Sequence, residues 1–225
     1  MKKGLVLFVL ISMLVFTSSA LAGDFEVVGG LNYNTFDLGV TVDGEVNDDL
    51  EFDDALKSGT GFYGGVLYWI NDSFAVGAAY ETANSSCKMD EFNDSPNAVE
   101  FANKLSGPAV TVVYKLNDMF SLEGGIASYS QDLNFTTEIS GEDVSGAYFK
   151  SSGLAYLVGG KFNYPVKDNI SITGNLGYRI ANLTVNEELD EGTLESGDPE
   201  TQEPAEDTTI NLSGLRGGVG VNIAF

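Results

Sequence analysis

Apolar and polar residues alternate with a period of two along most of this chain. In LRGGVGVNIAF (Leu215 to Phe225), Leu215, Gly217, Val219, Val221, Ile223 and Phe225 fall on one face, and Arg216, Gly218, Gly220, Asn222 and Ala224 fall on the other. That is the period of a β-strand, not of a helix. The same alternation sets Phe74, Val76, Ala78 and Tyr80 against Ala75, Gly77, Ala79 and Glu81, and Ile170, Ile172, Leu176, Tyr178 and Ile180 against Ser171, Thr173, Asn175, Gly177 and Arg179. It predicts strands near residues 24–35, 60–70, 74–83, 106–116, 120–131, 152–164, 169–184 and 209–225. In these strands one face is bulky and apolar while the other is small or polar. A soluble barrel would put the bulky face inside, whereas lipid outside and a narrow polar interior fit this pattern better.

An internal repeat orders the strands. YWINDSFAV (Tyr68 to Val76), YKLNDMFSL (Tyr114 to Leu122) and YPVKDNISI (Tyr164 to Ile172) share a tyrosine, an aliphatic residue, an aspartate and a second apolar pair. Each reads as a strand end, a tight turn on Asn-Asp or Lys-Asp, and a strand start, because Asn and Asp bond their own backbone and tolerate turn geometry. Three tight turns and both termini then lie at one end, and four longer connections lie at the other. Tyr68, Tyr114 and Tyr164, with Trp69, stand just above the turns, where an interfacial aromatic girdle is expected. Gly-Gly pairs such as Gly64-Gly65 and Gly159-Gly160 weaken ordinary strands. Tight curvature around a crowded lumen gives them a reason.

The N-terminal residues change the compartment. Lys2 and Lys3, the apolar run LVLFVLISMLVF and then SSALA have the form of a secretory signal peptide over residues 1–22, with cleavage expected after Ala22. The run is shorter than the ~20 residues a spanning helix needs. Residues 23–225 are then one barrel domain. Of 11 bases in the chain, Lys2 and Lys3 leave with the signal, so nine face 33 acids. Such an excess of acid excludes nucleic acid as a partner, since phosphate binding needs a basic patch. The single cysteine, Cys87, forms no disulfide within the chain and reads as an incidental free thiol.

These features together resemble the small bacterial outer-membrane β-barrels of the OmpA/OmpX-like kind. The fold this implies is all-β, an eight-stranded antiparallel up-and-down transmembrane β-barrel with long acidic extracellular loops. The localisation implied is the bacterial outer membrane, with lipid bilayer and lipopolysaccharide as surroundings. By the same resemblance, Val221, Ile223 and Phe225 would form a signal read by the outer-membrane assembly machinery.

Acids concentrate on the long connections, where residues 36–58, 81–104, 132–150 and 186–208 hold 27 of the 33. NDDLEFDD (Asn47 to Asp54) and NEELDEG (Asn186 to Gly192) invite a calcium reading, but neither has the spaced acid and glycine pattern of a calcium loop. A solvated surface that bridges to lipopolysaccharide phosphates through divalent cations is the plainer reading. Ser95-Pro96 before AVEFANKL predicts a helical turn or more in the second long connection.

Candidate chemistry is sparse. The chain has no histidine, so activation of serine or cysteine by His is unavailable and no enzyme or cofactor reading is made. Two readings remain: a structural or surface-interaction protein, and a narrow channel or transporter for small solutes, including apolar ones of the kind OmpW-like barrels are thought to pass. The alternation points Glu26, Glu81, Lys115, Glu123, Lys161, Arg179 and Arg216 into the lumen. Unpaired charge in a narrow barrel is costly. The expectation is two stacked ion-pair layers that plug the lumen, against the alternative of charges solvated in an open pore.

Overall fold

The computed structural model describes residues 25–42, 44–46, 53–89, 98–139, 142–189, 201–202, 204 and 208–225. Its strands are β1 (Phe25–Thr35), β2 (Gly39–Val42), β3 (Glu45–Val46), β4 (Ser58–Trp69), β5 (Phe74–Met89), β6 (Val99–Lys115), β7 (Phe120–Ile139), β8 (Glu142–Lys167), β9 (Ile170–Leu189), β10 (Thr201–Gln202), β11 (Thr209–Asn211) and β12 (Gly214–Ala224). Eight of them, β1, β4 to β9 and β12, form an antiparallel ring, each hydrogen-bonded to its neighbours in the chain. It closes where β12 pairs with β1 from Glu26↔Ala224 to Asn34↔Arg216. The expected signal peptide and Ser95-Pro96 lie outside the described residues, as do most of NDDLEFDD and the end of NEELDEG.

Two of the tight turns are built alike, and the repeat explains why. Asn71 Oδ1 accepts from the backbone N–H of Ser73 and Phe74, both at 2.9 Å, and Asn117 Oδ1 accepts from those of Met119 and Phe120, also at 2.9 Å. An amide side chain thus completes the turn that the backbone alone leaves open. Immediately above, aromatic residues meet across strands: Phe25 with Tyr68, Phe74 with Tyr114, and Phe120 with Phe162, at ring-centroid distances of 5.7, 4.8 and 5.2 Å. Trp69 is not part of this girdle. Its parity on β4 turns it inward, where it packs against the buried trio Leu67, Ala75 and Val113.

From the turns upward the outer surface is apolar, with Val166, Tyr164, Val158, Tyr156 and Leu154 on β8 all more than half exposed. At ~3.3 Å per residue and a tilt of ~40°, the stretch from Val166 to Leu154 rises about 30 Å, enough for an outer-membrane belt. Beyond it the strands continue well past the expected ends. β5 reaches Met89, β7 reaches Ile139 and β9 reaches Leu189. Much of the expected third acidic loop is therefore a hairpin of β7 and β8. The helical turn expected over AVEFANKL is likewise strand, because Val99, Phe101, Asn103 and Leu105 are buried while Glu100 and Lys104 are exposed. Period two prevails there over helix propensity.

The interior changes character along the axis. Near the turns it is mixed, with Glu26, Ser121, Asn163, Thr173 and Asn222 beside Trp69, Leu67 and Val113. In the far half it is apolar, a core in which Leu105, Tyr129, Leu133, Leu183, Ile210 and Leu212 are each 2% exposed or less. One polar layer crosses that core: Gln131 Nε2 donates to Asn103 Oδ1 at 3.0 Å, and Ser151 Oγ donates to Gln131 Oε1 at 2.6 Å.

Candidate functional site

The lumen is the one place where the described structure gathers buried charge. At the turn end, Asn222 Nδ2 donates to Glu26 Oε2 at 2.5 Å. Lys115 turns to the rim, where its Nζ lies 2.9 Å from Asp118 Oδ1 on the turn. That carboxylate is almost fully exposed, so the pair contributes little.

Halfway up, four side chains from β5, β7, β8 and β12 form a chain across the barrel. Lys161 Nζ contacts Glu123 Oε2. Glu123 Oε1 is 3.5 Å from Arg216 Nη1, and Arg216 Nη2 is 2.6 Å from Glu81 Oε2. Tyr129 Oη donates to the other oxygen of Glu81. Two bases balance two acids, and each carboxylate oxygen in the chain has a donor, the condition under which buried ions are tolerated. Around it, Ala79 and Ala109 are small, and a Cβ at Gly125 or Gly177 would meet the backbone oxygen of Val110 at 2.4 Å or of Val158 at 2.6 Å on the neighbouring strand. Two cavities of about 40 and 20 Å³ flank the chain, the lower one lined by Trp69, Ser121, Asn163, Thr173 and Asn222 among others.

Arg179 stands apart from that chain, with no carboxylate among the described residues within ion-pair distance, and is fully buried. Its Nε donates to the backbone oxygen of Leu212 at 3.0 Å, Nη1 to Asn34 Oδ1 at 3.3 Å and Nη2 to the backbone oxygen of Thr35 at 3.4 Å. The rings of Phe36 and Tyr129 lie 5.1 and 5.5 Å from its guanidinium carbon. Carbonyl acceptors and aromatic faces thus replace an anion as its environment. The arrangement is one ion-pair chain with a separate arginine above it, where two ion-pair layers were expected.

No protein-family model matches the sequence, and no curated protein matches it. Solved structures do. The outer membrane protein OprG from Pseudomonas aeruginosa is 16% identical, with 91% of this chain and 96% of that chain covered and a TM-score of 0.55. A major outer membrane protein from Thermus thermophilus is 14% identical over 89% of this chain and 99% of that one, with a TM-score of 0.51. Ail, the attachment invasion locus protein of Yersinia pestis, is 17% identical over 90% and 99%, with a TM-score of 0.50. The chain has the fold of a small outer-membrane β-barrel. With the apolar belt, that fold places the barrel in a bacterial outer membrane.

The residues expected to carry an assembly signal lie at the turn end of the barrel. Val221 and Phe225 face outward, 45% and 54% exposed, Ile223 is half-buried, and the Phe225 N–H donates to the backbone oxygen of Phe25 at 2.9 Å. Among the described residues, no three Cys, Asp or Glu side chains are grouped so as to hold a metal ion.

Sequence reasoning missed Tyr129, Asn34 and Phe36. Tyr129 shares the inward parity of Glu123 on β7, so the alternation could have found it. The carbonyls of Thr35 and Leu212 leave no mark in a side-chain pattern.

Proposed function

We propose that this barrel is a closed, non-enzymatic protein of the outer membrane with a structural or surface-interaction role. The observation that carries the reading is the filled lumen. The Lys161–Glu123–Arg216–Glu81 chain, Arg179 and the apolar core follow one another along the axis, and the cavities flanking the chain have room for only a few waters. Eight strands make an interior that side chains can fill, and here they do. The absence of histidine from the whole sequence supports the non-enzymatic part.

On this reading the work is done at the surfaces. The belt engages lipid, and the acidic connections beyond it face lipopolysaccharide, with divalent cations bridging carboxylates to phosphates. Val221, Ile223 and Phe225 would engage the assembly machinery before insertion. Single-channel recording on refolded protein in planar bilayers tests the reading: the expected trace is silent. A steady conductance from the unmutated protein would transfer the assignment to a narrow channel for small solutes.

A further inference from the structure

The apolar belt is not equally tall around the barrel. Outward residues stay apolar, glycine included, from Val166 to Leu154 on β8, from Ile170 to Ile180 on β9 and from Phe225 to Leu215 on β12. On β5 they do so only from Phe74 to Tyr80, on β7 from Phe120 to Ile126, and on β6 from Leu116 to Val110 and then Pro108. All six runs start at the turn end. At ~3.3 Å per residue and a tilt of ~40°, the first three rise about 25–30 Å and the other three about 15–20 Å. Tilting the whole barrel cannot level this, because a tilt moves both borders of the belt together.

An outer-membrane barrel needs an apolar band of about 25 Å. Over β5, β6 and β7 the upper part of that depth is covered instead by Thr82, Ser106 and Ser128, which lie about 20–25 Å above the turns. With Ala78 and Gly124 below them, these residues keep the side chains of this face short. A belt shorter than the surrounding hydrocarbon is accommodated by thinning the bilayer or by association. Short hydroxyl side chains suit association, since they let two walls approach closely and hydrogen-bond across the contact, as they do between membrane helices.

Charge selects the partner. The sequence carries 33 acids against 11 bases, so two copies repel over most of their surface. Just above the hydroxyls, the same three strands carry Lys88 opposite Glu100 and Lys104 opposite Asp132, all four exposed. Among the described residues this outward patch is balanced, two bases to two acids. A second copy turned about a two-fold axis along the membrane normal can set its acids against these bases, and the contact is then the same on both copies.

We propose that the outward face of β5, β6 and β7 is where two copies of this barrel pair in the membrane, with Ser106 and Ser128 inside the contact and the lysine–acid rows at its outer edge. The test uses protein refolded into vesicles at high dilution in lipid, in a Cys87→Ser background, with the fold of every variant checked by the heat-dependent shift on SDS gels. Ser106→Cys should give a dimer with a short bis-maleimide, and Thr184→Cys, on the outward face of β9, should not. Dimer content, counted by single-molecule photobleaching, should rise from short-chain to long-chain phosphatidylcholine because the mismatch grows. Ser106→Leu with Ser128→Leu extends the belt and should weaken dimerisation about tenfold or more. Should that variant not fold, Lys104→Glu lies above the belt: it should weaken the dimer, and adding Asp132→Lys should restore it. Monomers in every bilayer would mean that lipid alone covers this face and would overturn the inference. Equal crosslinking from Ser106→Cys and Thr184→Cys would overturn it too, as would a dimer indifferent to these substitutions. None of these outcomes bears on whether the lumen conducts, which the single-channel recording decides separately.

Discussion

Replacing Arg216 with alanine removes the centre of the lumenal ion-pair chain, and its consequence can be worked from the geometry. Arg216 is shared between Glu81 at 2.6 Å and Glu123 at 3.5 Å, and the three side chains are 16%, 6% and 11% exposed. Without it, Glu123 keeps Lys161, but Glu81 keeps only the Tyr129 hydroxyl, so one buried carboxylate loses its counter-charge. Breaking a buried pair from one side costs about 3–5 kcal/mol. The neighbouring cavity of about 40 Å³ admits water to the vacated space and softens that cost. A destabilisation near ~3 kcal/mol, the low end of that range, is expected. The assay is equilibrium unfolding in urea from lipid vesicles, followed by the fluorescence of Trp69, the only tryptophan in the chain and a lining residue of the lower lumen. A double-mutant cycle with Glu81→Gln isolates the pair, and the double variant should lose less than the sum of the singles by about 1–3 kcal/mol. A loss below ~1 kcal/mol for Arg216→Ala, with no coupling to Glu81→Gln, is what an exposed pair gives. That result would refute a dry, paired lumen.

The same unfolding assay separates the two faces of the far half. Leu183→Ala should cost about 2–5 kcal/mol, because the side chain is fully buried, whereas its outward neighbour Thr184→Ala should stay within about 0.5 kcal/mol; equal small effects would mean that the far core is not packed. Burial pushes the Cys87 thiol up from its ordinary value, and the nearby charge of Asp53 adds to this, so less thiolate is present at neutral pH. Native protein should therefore react slowly with a soluble thiol reagent and quickly once unfolded, and rapid native labelling would contradict the burial. Phe225→Ala should lower the amount of folded protein in the outer membrane without reducing export across the inner one; undiminished outer-membrane levels would deny the residue a role in assembly.

The membrane barrel itself was legible in the sequence because both of its signals are local. Alternation with a bulky face sets strand and lipid side together, and the Asn71 and Asn117 turns sit where the repeat places them. Parity alone also turned Glu81, Glu123, Lys161 and Arg216 toward one another. The failures have a common cause. Residues 98–105 contain good helix formers, yet Phe101 and Leu105 are held by Phe135 and Leu133 across the sheet or core, contacts far away in sequence. Trp69 has the composition of a girdle residue but the parity of a lumenal one, and parity decides. Arg179 points into the lumen as its parity requires, but its three acceptors include the backbone carbonyls of Thr35 and Leu212, which no periodicity encodes.

A change in the alternation does locate the level at which they lie. Along β9 the outward residues run Ile172, Leu176, Tyr178 and Ile180, then Asn182, Thr184 and Asn186; the inward ones run Ser171, Thr173, Asn175 and Arg179, then Ala181, Leu183 and Val185. The strand keeps its parity while the polarity of its two faces exchanges between Ile180 and Ala181. Along β7 the exchange falls near Ala127 and Ser128, where Leu122 and Ile126 outside give way to Ser130 and Asp132. A fixed parity with reversed polarity means that the surroundings have changed, from lipid outside to water outside. The far half is therefore built as a soluble barrel with its own apolar core, standing on a membrane barrel with a polar one. Arg179 is the last inward residue of β9 before the exchange. A side chain there faces polar groups below and apolar groups above, so its hydrogen-bond partners must be at hand, and Asn34 with the backbone oxygens of Thr35 and Leu212 supplies them.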